Sequence, residues 1–276
     1  MEIHKPKPVH SWRELLTEIG VVVIGVGIAL AAEQGVEWLH WHTRVAEARV
    51  VIATELSGNL QGAIMRLRTE SCTERRLDQL AVILDTASKT GSLPPVGDIG
   101  FPPRSLWGSG AWDSVVASQT ATHFPPEQLA NISGIYREIQ RIDEFNMREI
   151  DDWRDLYVMV GPGRRLDPAS EVALRQALSR ARNDTRAMTT LGAQLMKWVK
   201  EQNISFGRQD LINIAEAESR PLTSTTAALT SALPLAALCG PIGTAPSTYG
   251  QSSLNLVRTL TEDGVKSWPD FSQGAR

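Results

Sequence analysis

The chain has 276 residues, room for one sizeable domain or two small ones, and 42% of them are apolar, as in a globular protein. Its formal net charge of −3, from 28 Lys and Arg against 31 Asp and Glu, excludes the strongly basic balance of a nucleic-acid binder. Two cysteines, Cys72 and Cys239, are too few for a metal cluster or a disulfide-dense scaffold.

The first element is the apolar stretch EIGVVVIGVGIALAAEQ, residues 18–34, which admits three readings. As a dinucleotide-binding turn it offers a β-branched run, Val21 to Ile24, and Gly25-x-Gly27, with Glu55 as an acid after a second such run. The third glycine of that fingerprint falls on Leu30, and no strand–helix alternation follows. As a secretory signal it offers Ala29-Leu30-Ala31 before Ala32, but Glu18 stands where positive charge belongs. The apolar pattern also runs on through Val36, Trp38, Leu39 and Trp41.

A membrane span fits best. The uninterrupted run, Ile19 to Ala32, is 14 residues, and Leu15, Leu16, Val36 and Leu39 lengthen it. Trp12 and Trp38 bracket it 26 residues apart, about 39 Å along a helix. That is close to the thickness of a bilayer with its headgroups, where indoles anchor, and Trp41 follows one turn later. Glu18, Gly25, Ala29, Ala32 and Glu33 share one stripe of this helix. Gly25-x-x-x-Ala29 is a small-xxx-small pair that suits a second transmembrane helix, self or partner. Glu18 and Glu33 would lock that face at its ends or reach headgroup water. Lys5, Lys7 and Arg13 before the span, against Arg44 and Arg49 after it, favour a cytoplasmic N-terminus and an exported C-terminal domain.

Beyond the span, Val45, Ile52, Leu56, Leu60, Ile64, Leu67, Leu77, Leu80 and Leu84 recur by threes and fours without a proline, which predicts an amphipathic helix continuous with it. Residues 91–103, with four prolines and three glycines, form a loop, and a short helix is expected over 111–119. Pro125-Pro126 opens a long helix, with Ile132, Tyr136, Ile139, Ile142 and Trp153 on its stripe, and Gly161-Pro162-Gly163 stops it. Asp167-Pro168 starts another, Asp167 as N-cap, with Leu174, Leu178, Ala181, Met188, Leu191, Leu195 and Trp198 facing inward. The expected fold is all-α, an antiparallel bundle over 40–218 behind a short N-terminus (1–14) and a span (15–39). A Ser/Thr/Ala/Pro-rich tail (219–276) should dock through Leu233, Leu235 and Leu238.

TEIGVVVIGVGIALAAEQGVEW (17–38) followed by the amphipathic ARVVIATELSGNL (48–60) resembles an uncharacterised bacterial family of single-pass membrane proteins, known only as a domain of unknown function. Glu18, Gly25, Ile28, Ala29 and Trp38 carry the resemblance, which covers roughly residues 12–60. It implies bacterial origin and membrane anchoring, and it brings no activity; with the charge bias, the expected location is the inner membrane with the C-terminal domain in the periplasm.

Chemistry is sparse. Glu37-x-x-His40 resembles half of a di-iron site, but no second such pair occurs, so the pattern implies no metal, cofactor or catalytic residue. The segment from Trp107 to Trp112 reads as an aromatic cradle or, more simply, as a helix-opening turn whose indoles plug the bundle. A membrane-anchored, non-enzymatic scaffold is the leading expectation; a sensory ectodomain working with a separate transducer is the alternative. Export would favour a Cys72–Cys239 disulfide tying the tail to the first long helix.

Overall fold

The computed structural model describes residues 12–202, 204–219, 222 and 237–243. Among the described residues the fold is all-α apart from one two-stranded ladder and an isolated bridge between Val96 and Gly161. Helix α1 spans Trp12–Thr90, 79 residues without a break, about 120 Å at 1.5 Å per residue. Its first half and its second half obey different rules. From residue 21 to residue 40 every side chain is exposed. From Val45 onward it buries one stripe, through Ile52, Leu56, Leu60, Leu77, Leu80 and Leu84. The two halves form a naked arm and the spine of a bundle.

Gly91 ends α1 at φ +67°, the left-handed conformation that glycine adopts without Cβ strain, and the chain turns into β1, Ser92–Leu93. Helix α2, Gly110–Ala117, follows the proline-rich loop, and a 3-10 turn, Thr120–His123, leads into α3, Pro126–Leu156. Strand β2, Arg164–Arg165, pairs antiparallel with β1, so the expected loop over 91–103 also carries a short ladder. Helix α4 runs Pro168–Glu201, with the Asp167 carboxylate accepting the Ser170 amide as its N-cap. Helix α5, Arg208–Ser219, closes the bundle.

Helix α4 lies antiparallel to both α1 and α3, which run parallel to each other. Arg175, Arg182 and Arg186 of α4 pair in descending order with Asp85, Asp78 and Glu74 of α1. Arg148 and Arg180 join α3 to α4 through Asp184, Asp152 and Asp155. Two apolar clusters fill the interior. The one nearer the arm gathers Ile52, Leu56, Ile135, Ile139, Leu191 and Leu195; the distal one gathers Leu80, Leu84, Trp153, Leu174 and Leu238.

A buried polar layer separates them. Arg66 Nη2 donates to Glu149 Oε1 at 2.6 Å, and Thr185 Oγ1 donates to the same oxygen at 2.7 Å. The two charged side chains are only 2% and 3% exposed. Helix α5 has only a narrow apolar face: Ile214 packs on the cluster nearer the arm, while Leu211 and Ile212 face outward. Buried Asp210, accepting the hydroxyls of Thr54 and Ser57, and buried Ala217 hold it to α1.

The tail reaches the distal cluster through Leu238, which is 1% exposed, while Leu233 and Leu235 lie outside the described residues. Cys72 and Cys239 form a disulfide, with their Cα atoms 4.8 Å apart. Buried Arg76 donates through Nη2 to the carbonyls of Ala237, Leu238 and Gly240. Gly97 donates its amide to Gly243. The tail passes so close to Gly100 (φ +70°) that a Cβ there would fall 2.2 Å from the Leu238 nitrogen.

Candidate functional site

The arm is the one helix, among the described residues, long and apolar enough to cross a membrane, and none of its most apolar 18-residue window is buried. Twelve large apolar side chains from Leu16 to Leu39 remain at least half exposed. Moving them from water into hydrocarbon is worth on the order of 10 kcal/mol, taking about 1 kcal/mol for each partly exposed side chain. Free in water, such a helix would be a strong liability.

Within it, Glu18, Gly25, Ala29, Ala32 and Glu33 are exposed, and no described residue outside the helix packs on their stripe. A Cβ built on Gly25 would touch nothing within 4 Å. Trp12 and Trp38, at the two ends, are 72% and 62% exposed. Lys5 and Lys7, on which the orientation rests, lie outside the described residues.

Where the arm meets the bundle, a cleft of about 480 Å³ opens, lined by Gln34, Glu37, Trp38, Trp41, His42 and His123 among others. These α1 residues follow 3- and 4-residue steps, so they stand on one face of the helix. The opposite wall is the turn that precedes α3. The half-buried Trp41 indole stacks on the His123 imidazole, with centroids 3.8 Å apart and planes 12° from parallel. His42 lies 4.0 Å from Trp38, because helical side chains lean back toward the preceding turn. Arg49 closes the outer end, bonded to Gln128 at 2.8 Å and set over the Phe124 ring. Acid, base and aromatic groups thus line one concavity. Glu37 belongs to it, whereas His40 packs edge-on to Trp41. Among the described residues no group of three His, Cys, Asp or Glu is placed to hold a metal ion.

The segment from Trp107 to Trp112 is built into the core. Both indoles are buried, Trp112 against Tyr136. Glu55 organises this corner: Oε2 accepts the Ala111 amide in the first turn of α2, and Oε1 accepts the Tyr136 hydroxyl at 2.8 Å. Burial, reinforced by that hydrogen bond, holds the Tyr136 hydroxyl well above its ordinary pKa. Asn59 clamps Gly108 by both its amide and its carbonyl.

Apolar periodicity alone misses this polar interior, though a signal was present. Arg66, Thr69, Thr73 and Arg76 occupy stripe positions of α1, as Asn146 and Glu149 do on α3, and a charge at a stripe position announces a buried partner. Comparisons with known protein families, with curated proteins and with solved structures find no match.

Proposed function

We propose that the protein is a membrane-anchored, non-enzymatic scaffold whose arm crosses the bacterial inner membrane once, with the N-terminus in the cytoplasm and the bundle in the periplasm. The observation that carries this reading is the arm itself: a long apolar helix covered by none of the other described residues. Its continuity with α1 supports a scaffold. No loop intervenes between span and bundle, so the folded domain stands at a fixed height above the bilayer. In this reading the Gly25/Ala29 stripe meets another transmembrane helix, because small residues let two backbones approach closely.

A sensory ectodomain acting with a separate transducer is the second reading, and the cleft at the base of the arm favours it. Three measurements separate the possibilities. The protein should stay in the membrane pellet through alkaline carbonate extraction, and alkaline phosphatase fused after Arg276 should be active. Purification in mild detergent should bring down a stable membrane complex, weakened by replacing Gly25 and Ala29 with Leu. Release by carbonate would remove the anchor, and an inactive fusion would reverse the topology. A lone protein retaining a small ligand would favour the sensor.

A further inference from the structure

We propose that the cleft at the base of the arm binds the headgroup of an ethanolamine phospholipid. This rests on the arm being a membrane span. With the bilayer midplane near Gly25, halfway between Trp12 and Trp38, the Cα atoms of Glu37, Trp38 and Trp41 stand about 18, 20 and 24 Å from the midplane at 1.5 Å per residue. Their side chains lean back toward the N-terminus, hence toward the membrane. The half-thickness of a bilayer with its headgroups is about 20–22 Å. The floor of the cleft therefore lies in the headgroup layer and its apolar approach is the arm below.

The lining selects the headgroup. An ethanolamine phospholipid carries a phosphate and a primary ammonium a few ångströms apart. Glu37 can accept hydrogen bonds from the ammonium, and the exposed Trp38 presents an indole face to the same cation. His42 and His123 offer imidazole N–H groups to the phosphate, with the Arg49 charge behind them. A purely anionic headgroup would meet the Glu37 carboxylate without a compensating cation. Choline, which lacks N–H groups, would leave that carboxylate without a donor.

The cleft is also preorganised. The stack on His123 fixes Trp41, and the far wall, the 3-10 turn and Pro125, belongs to the bundle rather than to the arm. A lipid seated there would be gripped between span and domain, unlike the lipids that merely surround a helix.

The test uses the full chain in nanodiscs of equal parts phosphatidylethanolamine and phosphatidylglycerol, with the lipids retained by the released protein counted by native mass spectrometry. The protein should keep the ethanolamine lipid about fivefold over the glycerol lipid, as expected for roughly 1 kcal/mol of cation recognition. Glu37→Gln combined with Trp38→Leu, both exposed positions, should return the ratio to that of the disc with helicity unchanged by circular dichroism. Retention at the bulk ratio in the unaltered protein overturns the site while leaving the anchor intact. Enrichment of phosphatidylglycerol, or an enrichment the double variant preserves, overturns it as well. Failure to enter the discs overturns the site together with the membrane reading on which it rests.

Discussion

Replacing Arg66 with Met tests what the buried polar layer does for the bundle. Met keeps the length and packing of the side chain but removes its charge. Glu149, 3% exposed, would then hold a carboxylate whose remaining partner is the Thr185 hydroxyl. Taking one member from a buried ion pair costs about 3–5 kcal/mol, because the other charge stays desolvated. The pair also begins below its best value, since Arg66 Nη1 is buried with no hydrogen-bond partner. Replacing both residues, Arg66→Met with Glu149→Met, removes both desolvation penalties and joins the two apolar clusters. The double variant should regain most of the loss and come within about 1–2 kcal/mol of the original protein. Urea unfolding in mild detergent, followed by the emission of buried Trp107, Trp112 and Trp153, measures all three proteins. A loss below about 1 kcal/mol for Arg66→Met, or a double variant no better than the single one, would refute the reasoning.

Gly100→Ala should dislodge the docked tail: the new Cβ would collide with the Leu238 backbone, at a cost of about 2–3 kcal/mol. Hydrogen exchange at residues 238–243 should rise sharply, and unchanged protection would contradict the close approach. The Cys72–Cys239 bridge spans a sequence separation of 167, so reduction should lower stability by up to about 5 kcal/mol. Intact mass after denaturing alkylation should show no modified thiol until a reductant is added; two modified thiols without it would disprove the bridge. Burial pushes the Asp152 and Asp184 carboxyls above their ordinary range, against the pull of Arg180 and Arg148. The folded state therefore binds protons more tightly than the unfolded chain, and stability should rise as pH falls from neutral through these raised values toward the ordinary value near ~4. Asp167 and Glu171, held low chiefly by hydrogen bonds from Ser170 and Ser88, oppose this only at lower pH. Melting at pH 7.5 and 5.5 should show the rise, and Asp152→Asn with Asp184→Asn should abolish it; a rise that survives both substitutions would assign it elsewhere.

The positions of the helices could be read without coordinates because helix formation and amphipathicity are local. The recurrence of Val45, Ile52, Leu56 and Leu60 by threes and fours depends only on 3.6 residues per turn. The Asp167-Pro168 cap likewise acts on the amide three residues ahead. The all-round apolarity of residues 19–32 is a property of composition and needed no partner to be seen. Helix α5 escaped that reading because its outward Leu211 and Ile212 break the stripe; Ile214 and the bond from Ser57 of α1 to Asp210 help hold it.

Apart from the Cys72–Cys239 bridge, which the two cysteines and the expected export already suggested, partnerships were decided by tertiary structure alone. Arg66 at a stripe position announces that something must neutralise it, but Glu149 lies 83 residues away and Thr185 on a third helix. Arg76 gives no hint that its partners are three carbonyls more than 160 residues downstream. Glu55, which fits a dinucleotide fingerprint by spacing, caps α2 and bonds Tyr136. The cleft beside Trp41 exists only because the turn before α3 folds back onto the arm and lays His123 against the indole. Periodicity specifies which face of a helix turns inward, since that follows from backbone geometry; which residue it meets depends on how distant segments pack, and no local pattern encodes that.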